Sequence, residues 1–114
     1  MNQKKICVVG AGYWGKNHVR TLDKIGCLGG IVDADKNLLN KFRNDYSYVL
    51  THDNLQEALF KNFYDGYVVA TPAETHFEIA KKIINHSNHI LIEKPLTLSI
   101  DHATHLVDLA NKKI

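Results

Sequence analysis

Residues 8–18 read VVGAGYWGKNH, and the fold turns on this stretch. Val8 and Val9 end an apolar run that starts at Lys5-Ile6-Cys7, and Gly10, Gly12 and Gly15 follow with G-x-G-x-x-G spacing. Glycines so placed have distinct physical uses. The first permits a tight turn out of a strand, the second lets backbone approach a pyrophosphate with no Cβ in the way, and the third lets the next helix pack close to the sheet. The N–H groups at the head of that helix, with the positive end of its dipole, hold phosphate without a dedicated cation. Glycines also mark plain turns, so the motif counts only where a strand precedes it, a helix follows it and an acid closes the next strand.

Asp33 supplies that acid, 18 residues beyond Gly15 at the end of the second apolar run. Its carboxylate is placed to accept hydrogen bonds from the adenosine ribose hydroxyls and to repel a 2′-phosphate, so the expected cofactor is NAD in preference to NADP. The plain alternative is a strand-end acid with no ligand. Tyr13 and Trp14, set between the last two glycines, lie inside the phosphate-binding turn and join Gly10, Gly12, Gly15 and Asp33 as cofactor-binding candidates.

Five short apolar runs, at 5–10, 28–33, 46–50, 66–71 and 89–93, read as strands. The first, fourth and fifth are almost continuously apolar, as when helices cover both faces of a parallel sheet. Helical spacing fills 14–25, 35–44, 54–62, 76–86 and 100–112. Gly26 suits a left-handed helix end, Asp35 and Ser99 suit N-caps, and Asp53/Gln56 and Thr75/Glu78 have capping-box spacing. Core-facing stripes are expected from Phe77, Ala80, Ile83 and Ile84, and from Ile100, Ala103, Leu106, Val107 and Ala110. Such alternation with short connections predicts right-handed crossovers and a doubly wound α/β parallel sheet with strand order 3-2-1-4-5.

The 114 residues, 45% of them hydrophobic, fit one domain spanning 1–114 with one core. A net charge of +2 with dispersed lysine pairs gives no reason to expect nucleic acid. No run approaches the roughly 18 apolar residues of a membrane span. Cys7 and Cys27 lack metal-ligand spacing and sit in apolar surroundings, so free buried thiols in a reducing cytoplasm are expected. His102 and His105, spaced i, i+3, have no third ligand nearby, and no metal is expected.

Two further segments end strands: ATPAETH (70–76) after the fourth and EKPL (93–96) after the fifth. Ligands of an open parallel sheet bind outside the carboxyl ends of its strands, on the rim that holds Gly12 and Asp33. With the glycine fingerprint, Asp33, Thr71-Pro72 followed by His76, and Glu93-Lys94-Pro95, the chain resembles the N-terminal Rossmann domain of the Gfo/Idh/MocA oxidoreductases over essentially its whole length. This is the family of glucose-fructose oxidoreductase and inositol dehydrogenase. GYWGKN (12–17) is most similar to the branch acting on nucleotide sugars.

The resemblance implies a role for each matching residue. Thr71 and Pro72 shape the wall beside the nicotinamide, and His76 lies beneath the cofactor or merely begins a helix. Glu93 positions the nicotinamide ribose. Lys94 contacts the reacting hydroxyl of a sugar, polyol or nucleotide sugar and aids proton transfer as hydride moves to NAD. An ammonium there stabilises alkoxide character. Pro95 fixes the turn, and the Lys94–Pro95 bond is a candidate for cis. Lys94 also has the bland reading of a solvated loop lysine.

The chain departs from the family pattern in three places. NHSNH (85–89) replaces the usual turn glycine, with Asn88 expected to take the left-handed conformation. Gly29 and Gly30 interrupt the second strand and suggest a close backbone neighbour. Ile114 falls about where a sixth strand is expected, ahead of the family's C-terminal substrate domain. Two readings follow: an NAD-dependent sugar dehydrogenase or its N-terminal part, or a non-catalytic NAD-binding or redox-sensing module that needs a partner chain. An exposed sheet edge is expected to promote self-association.

Overall fold

The strand that feeds the glycine turn lies at the centre of the sheet. A computed structural model describes residues 3–114, in which β1 (Ile6–Val9) has Cys7 and Val8 fully buried and Val9 nearly so. The remaining elements are α1 (Gly15–Lys24), β2 (Leu28–Val32), α2 (Lys36–Asp45), β3 (Leu50–His52), α3 (Leu55–Lys61), β4 (Gly66–Val69), a 3-10 turn at Ala73–Thr75, α4 (His76–Asn85), β5 (His89–Ile92) and α5 (Ile100–Lys113). The sheet order is β3-β2-β1-β4-β5, and every pairing is parallel. The expected α/β doubly wound sheet with order 3-2-1-4-5 is the observed one.

Alternation along the strands sends side chains into two layers. Cys7, Val9, Val32, Tyr67 and Val69 pack with Ala58 and Leu59 of α3 and Ile83 of α4. Val8, Leu28, Ile31 and Val68 pack on the other face with Val19 of α1 and Leu39 and Phe42 of α2. Burial pushes the Cys7 thiol well above its ordinary range, so it behaves as a small core hydrophobe. α5 docks on α4 through Leu106, which meets Ala80 and Ile84. Its expected stripe is therefore rotated: Leu106, Leu109 and Ala110 pack, whereas Ile100 and Val107 are exposed.

Local details depart from the sequence reading in five places. The third strand was expected at 46–50 and lies at Leu50–His52, because the Val49 N–H bonds the Tyr46 carbonyl and turns the chain first. Gly29 and Gly30 accommodate a side chain rather than a backbone: a Cβ on Gly30 would lie 2.1 Å from the Tyr64 hydroxyl oxygen. That hydroxyl lies 2.6 Å from His52 Nε2, and His52 Nδ1 lies 2.8 Å from Glu57 Oε1, so the buried imidazole is satisfied at both nitrogens. Burial, with Cys7, Tyr67 and Glu57 nearby, raises the Tyr64 phenol well above its ordinary range and keeps it a neutral hydrogen-bonding group.

At the turn before β5 it is Ser87, not Asn88, that takes positive φ (60°). Asn88 is buried instead. The α3 cap is Asn54, whose Oδ1 accepts the Glu57 N–H at 2.8 Å, one residue later than the Asp53 expected. Thr75 makes no cap: its hydroxyl bonds the Thr71 hydroxyl and the Pro72 carbonyl. Gly26 (φ 78°), Asp35 and Ser99 end or cap their helices as expected.

Among the described residues, no helix is long and apolar enough to cross a membrane, and no group of three or more His, Cys, Asp or Glu is placed to hold a metal ion.

Candidate dinucleotide site

Gly10 and Gly15 build the turn by contacts that leave no room for a side chain. Gly10 has φ 90°, and a Cβ on it would lie 2.7 Å from Thr71 Cγ2. Gly15 begins α1 so close to the turn that a Cβ would lie 1.8 Å from the Gly10 carbonyl oxygen. Gly12 has no atom within 4 Å of its absent Cβ and faces open space. Gly10 thus makes the turn and Gly15 packs against the turn itself, while the backbone at Gly12 is left open.

α1 begins at Gly15 with no side-chain cap at Trp14 and no acid in its first turn. The Lys16 and Asn17 N–H groups bond the Gly12 and Trp14 carbonyls at 2.9 and 3.1 Å, and the positive end of the helix dipole faces the glycine turn. Asp33 holds this loop in place. Its Oδ2 accepts the Ala11 N–H at 2.9 Å and its Oδ1 accepts the Asp35 N–H at 2.9 Å. Each oxygen retains a lone pair for a further donor.

A cleft of about 600 Å³ opens beside these groups, lined by Gly10, Gly12, Tyr13, Trp14, Asp33, Thr71 and Pro72. Sequence reasoning missed other parts of its wall: Ala34, Asp53, Asn54, Leu55 and Ile79 also line it. They follow β2 and β3 or face in from α4, and no motif marks them. Tyr13 and Trp14 stand at the cleft, 72% and 60% exposed, with ring centroids 5.2 Å apart in an edge-to-face pair.

His76, Glu93, Lys94 and Pro95 form an adjoining group that does not line the cleft. Glu93 is placed by its N–H, which bonds the Val69 carbonyl at 2.9 Å, and by its carboxylate, 2.6 Å from His18 Nε2. The Lys94–Pro95 peptide is cis, and Lys94 is exposed. His76 is buried, with Nδ1 2.8 Å from the Pro95 carbonyl oxygen and Nε2 2.8 Å from the Thr71 carbonyl oxygen. His18 is a residue the sequence reading passed over, although it closes the opening motif three positions after Gly15.

A parallel sheet of this order, with a glycine turn at the head of α1 and an acid ending β2, defines a dinucleotide-binding domain. Residues 4–114 match the Gfo/Idh/MocA family, described as an oxidoreductase family with an NAD-binding Rossmann fold, and the chain belongs to it. GenD2 from gentamicin A biosynthesis, solved in complex with NAD, superposes with a TM-score of 0.90 at 32% identity, over 99% of this chain and 33% of its own. Glucose-6-phosphate 3-dehydrogenase of Bacillus subtilis is 29% identical over 96% of this chain and 31% of its own length. UDP-N-acetylglucosamine 3-dehydrogenase of Acidithiobacillus ferrooxidans is 27% identical over 93% of this chain and 33% of its own length. The chain spans between 18% and 35% of the length of the curated relatives it matches.

Proposed function

We propose that the chain is the cofactor-binding part of an NAD-dependent dehydrogenase acting on a hydroxyl of a sugar, polyol or nucleotide sugar. The carrying observation is Asp33, whose carboxylate is fixed at the cleft by two backbone N–H groups with a free lone pair on each oxygen. The named sugar substrates of the relatives support the substrate class.

The residues present fit the dinucleotide. The head of α1 and the bare backbone at Gly12 take the pyrophosphate, Asp33 takes the adenosine ribose hydroxyls, and Thr71 and Pro72 wall the nicotinamide side. When bound, the dinucleotide supplies the hydride acceptor. Glu93 orients the nicotinamide ribose, and Lys94 Nζ holds the substrate hydroxyl and assists removal of its proton as the carbonyl forms. A cytoplasmic setting fits the two free cysteines.

The preference for NAD over NADP follows from charge. A fixed carboxylate that rewards two ribose hydroxyls repels a 2′-phosphate. Titration with NADH and NADPH, read by Trp14 fluorescence, is expected to show saturable NADH binding and much weaker NADPH binding. Asp33→Ala removes charge-assisted bonds at a net loss of about 1.5–3 kcal/mol, so NADH affinity is expected to fall roughly 10- to 150-fold while the bias against NADPH disappears. Wild-type binding of both cofactors with equal affinity would refute this reading of Asp33.

A second reading is favoured by the exposure of Lys94 outside the cleft: a module that binds NAD without turnover and is completed by a partner chain. Sugar-dependent NADH formation that is lost in Lys94→Ala supports the enzyme; binding without any turnover supports the module. β5 ends the sheet with Leu91 exposed, and pairing of two copies along this edge is proposed. Light scattering is expected to show a dimer that Leu91→Lys dissociates.

A further inference from the structure

The Glu93-Lys94-Pro95 turn is gripped by two histidines from helices on opposite faces of the sheet. His18, on α1, meets Glu93 Oε1 at 2.6 Å with both side chains about three-quarters buried (26% and 27% exposed). His76, at the start of α4, is 1% exposed and spans from the Pro95 carbonyl to the Thr71 carbonyl, 2.8 Å to each. One imidazole thereby ties the loop after β5 to the loop after β4, which lines the cleft at Thr71 and Pro72. A ring nitrogen bonds a carbonyl only where it carries the proton, so the ring is hydrogen-bonded to one of these loops through its N–H and packed against the carbonyl of the other.

The Glu93 N–H, bonded to the Val69 carbonyl at 2.9 Å, adds a backbone anchor to the same turn. Lys94 itself has no hydrogen-bond or ion-pair partner among the described residues, yet its neighbours on both sides are fixed. A free lysine head on a fixed backbone is the arrangement expected where a side chain must reach a ligand from a set origin.

We infer that His18 and His76 are positioning residues: acting through Glu93 and Pro95, they set the Glu93-Lys94-Pro95 turn against the nicotinamide end of the cleft and have no part in holding the adenosine end. The inference rests on the cofactor reading above. It divides the site into an adenosine half fixed by Asp33 and a nicotinamide half fixed by the two rings.

The test compares ADP, which occupies the adenosine half alone, with NADH. Titrations of the full chain use His18→Leu and His76→Phe, which remove the donors, and His18→Gln and His76→Gln, which restore an N–H at similar reach. Each donor-removing variant is expected to leave the ADP dissociation constant within about twofold and weaken NADH about five- to tenfold, with glutamine recovering most of the loss. NADH binding unchanged in both, or ADP and NADH weakened alike, would overturn the inference. Wild-type binding of ADP with no added affinity for NADH would also overturn it while leaving the adenosine site intact. Wild-type binding of neither overturns the cofactor reading and this inference together. Should His76→Phe fail to fold, the wild-type chain still decides: a His76 ring N–H slow to exchange in nitrogen-15 spectra is required, and a freely exchanging ring sinks the tie.

Discussion

Gly15→Ala is expected to abolish dinucleotide binding, weakening NADH by at least 100-fold, and to lower the melting temperature. The direction opposes intrinsic propensity, since alanine favours a helix over glycine by about 1 kcal/mol. Here the added Cβ would lie 1.8 Å from the Gly10 oxygen and 2.7 Å from its carbonyl carbon, both backbone atoms that cannot rotate away. Gly10 has little freedom to yield: its N–H is bonded to the Val32 carbonyl at 2.8 Å and its φ is 90°. The turn must open, and the head of α1 moves with it.

Gly12→Ala is the informative contrast. Nothing lies within 4 Å of that position, so the variant is expected to fold as the wild type does and still lose NADH affinity, because the methyl enters the space of the pyrophosphate. Thermal melts and NADH titrations of the two variants separate a glycine needed for the fold from one needed for the ligand. A Gly15→Ala protein with wild-type melting and binding would refute the packing account.

Tyr64→Ala is expected to give the largest loss of stability for a side chain away from the cleft. Tyr64 is 5% exposed, fills the space above Gly30, meets Tyr67 and His52 edge-to-face, and satisfies His52 Nε2. Truncation leaves a cavity and His52 Nε2 buried without its partner, for about 3–5 kcal/mol. Tyr64→Phe keeps the ring and loses only the hydroxyl, for about 1–2 kcal/mol. Urea unfolding measures both, and a Tyr64→Ala loss below about 1 kcal/mol would show that the sheet closes over the gap.

The fold was legible because its signals are local. Glycine spacing, the acid after β2 and near-continuous apolar runs in β1 and β4 each depend on a few neighbouring residues. What escaped depends on residues far apart in the chain. Gly30 looked like a flaw in β2 because its partner, Tyr64, is 34 positions away. β3 was displaced because Tyr46 and Tyr48 look strand-like, while its buried residue is the polar His52, made tolerable by Glu57 and Tyr64. The site divides in the same way. Gly10, Gly12, Gly15 and Asp33 were visible in the spacing, whereas His18 acquires meaning only when β5 brings Glu93 beside α1.

The central place of β1 also governs how the chain is born. Ile6 pairs with Leu28 on one side and with Gly66 on the other, so one flank is matched early and the other waits for 60 more residues. At translation rates of about 5–20 residues per second, that wait is roughly 3–12 s. During it, the free flank of β1 presents unpaired backbone beside Cys7 and Val8 to whatever else is near the ribosome. The strand that delivers the glycine turn is thus made before both of its partners and secured only when β4 follows.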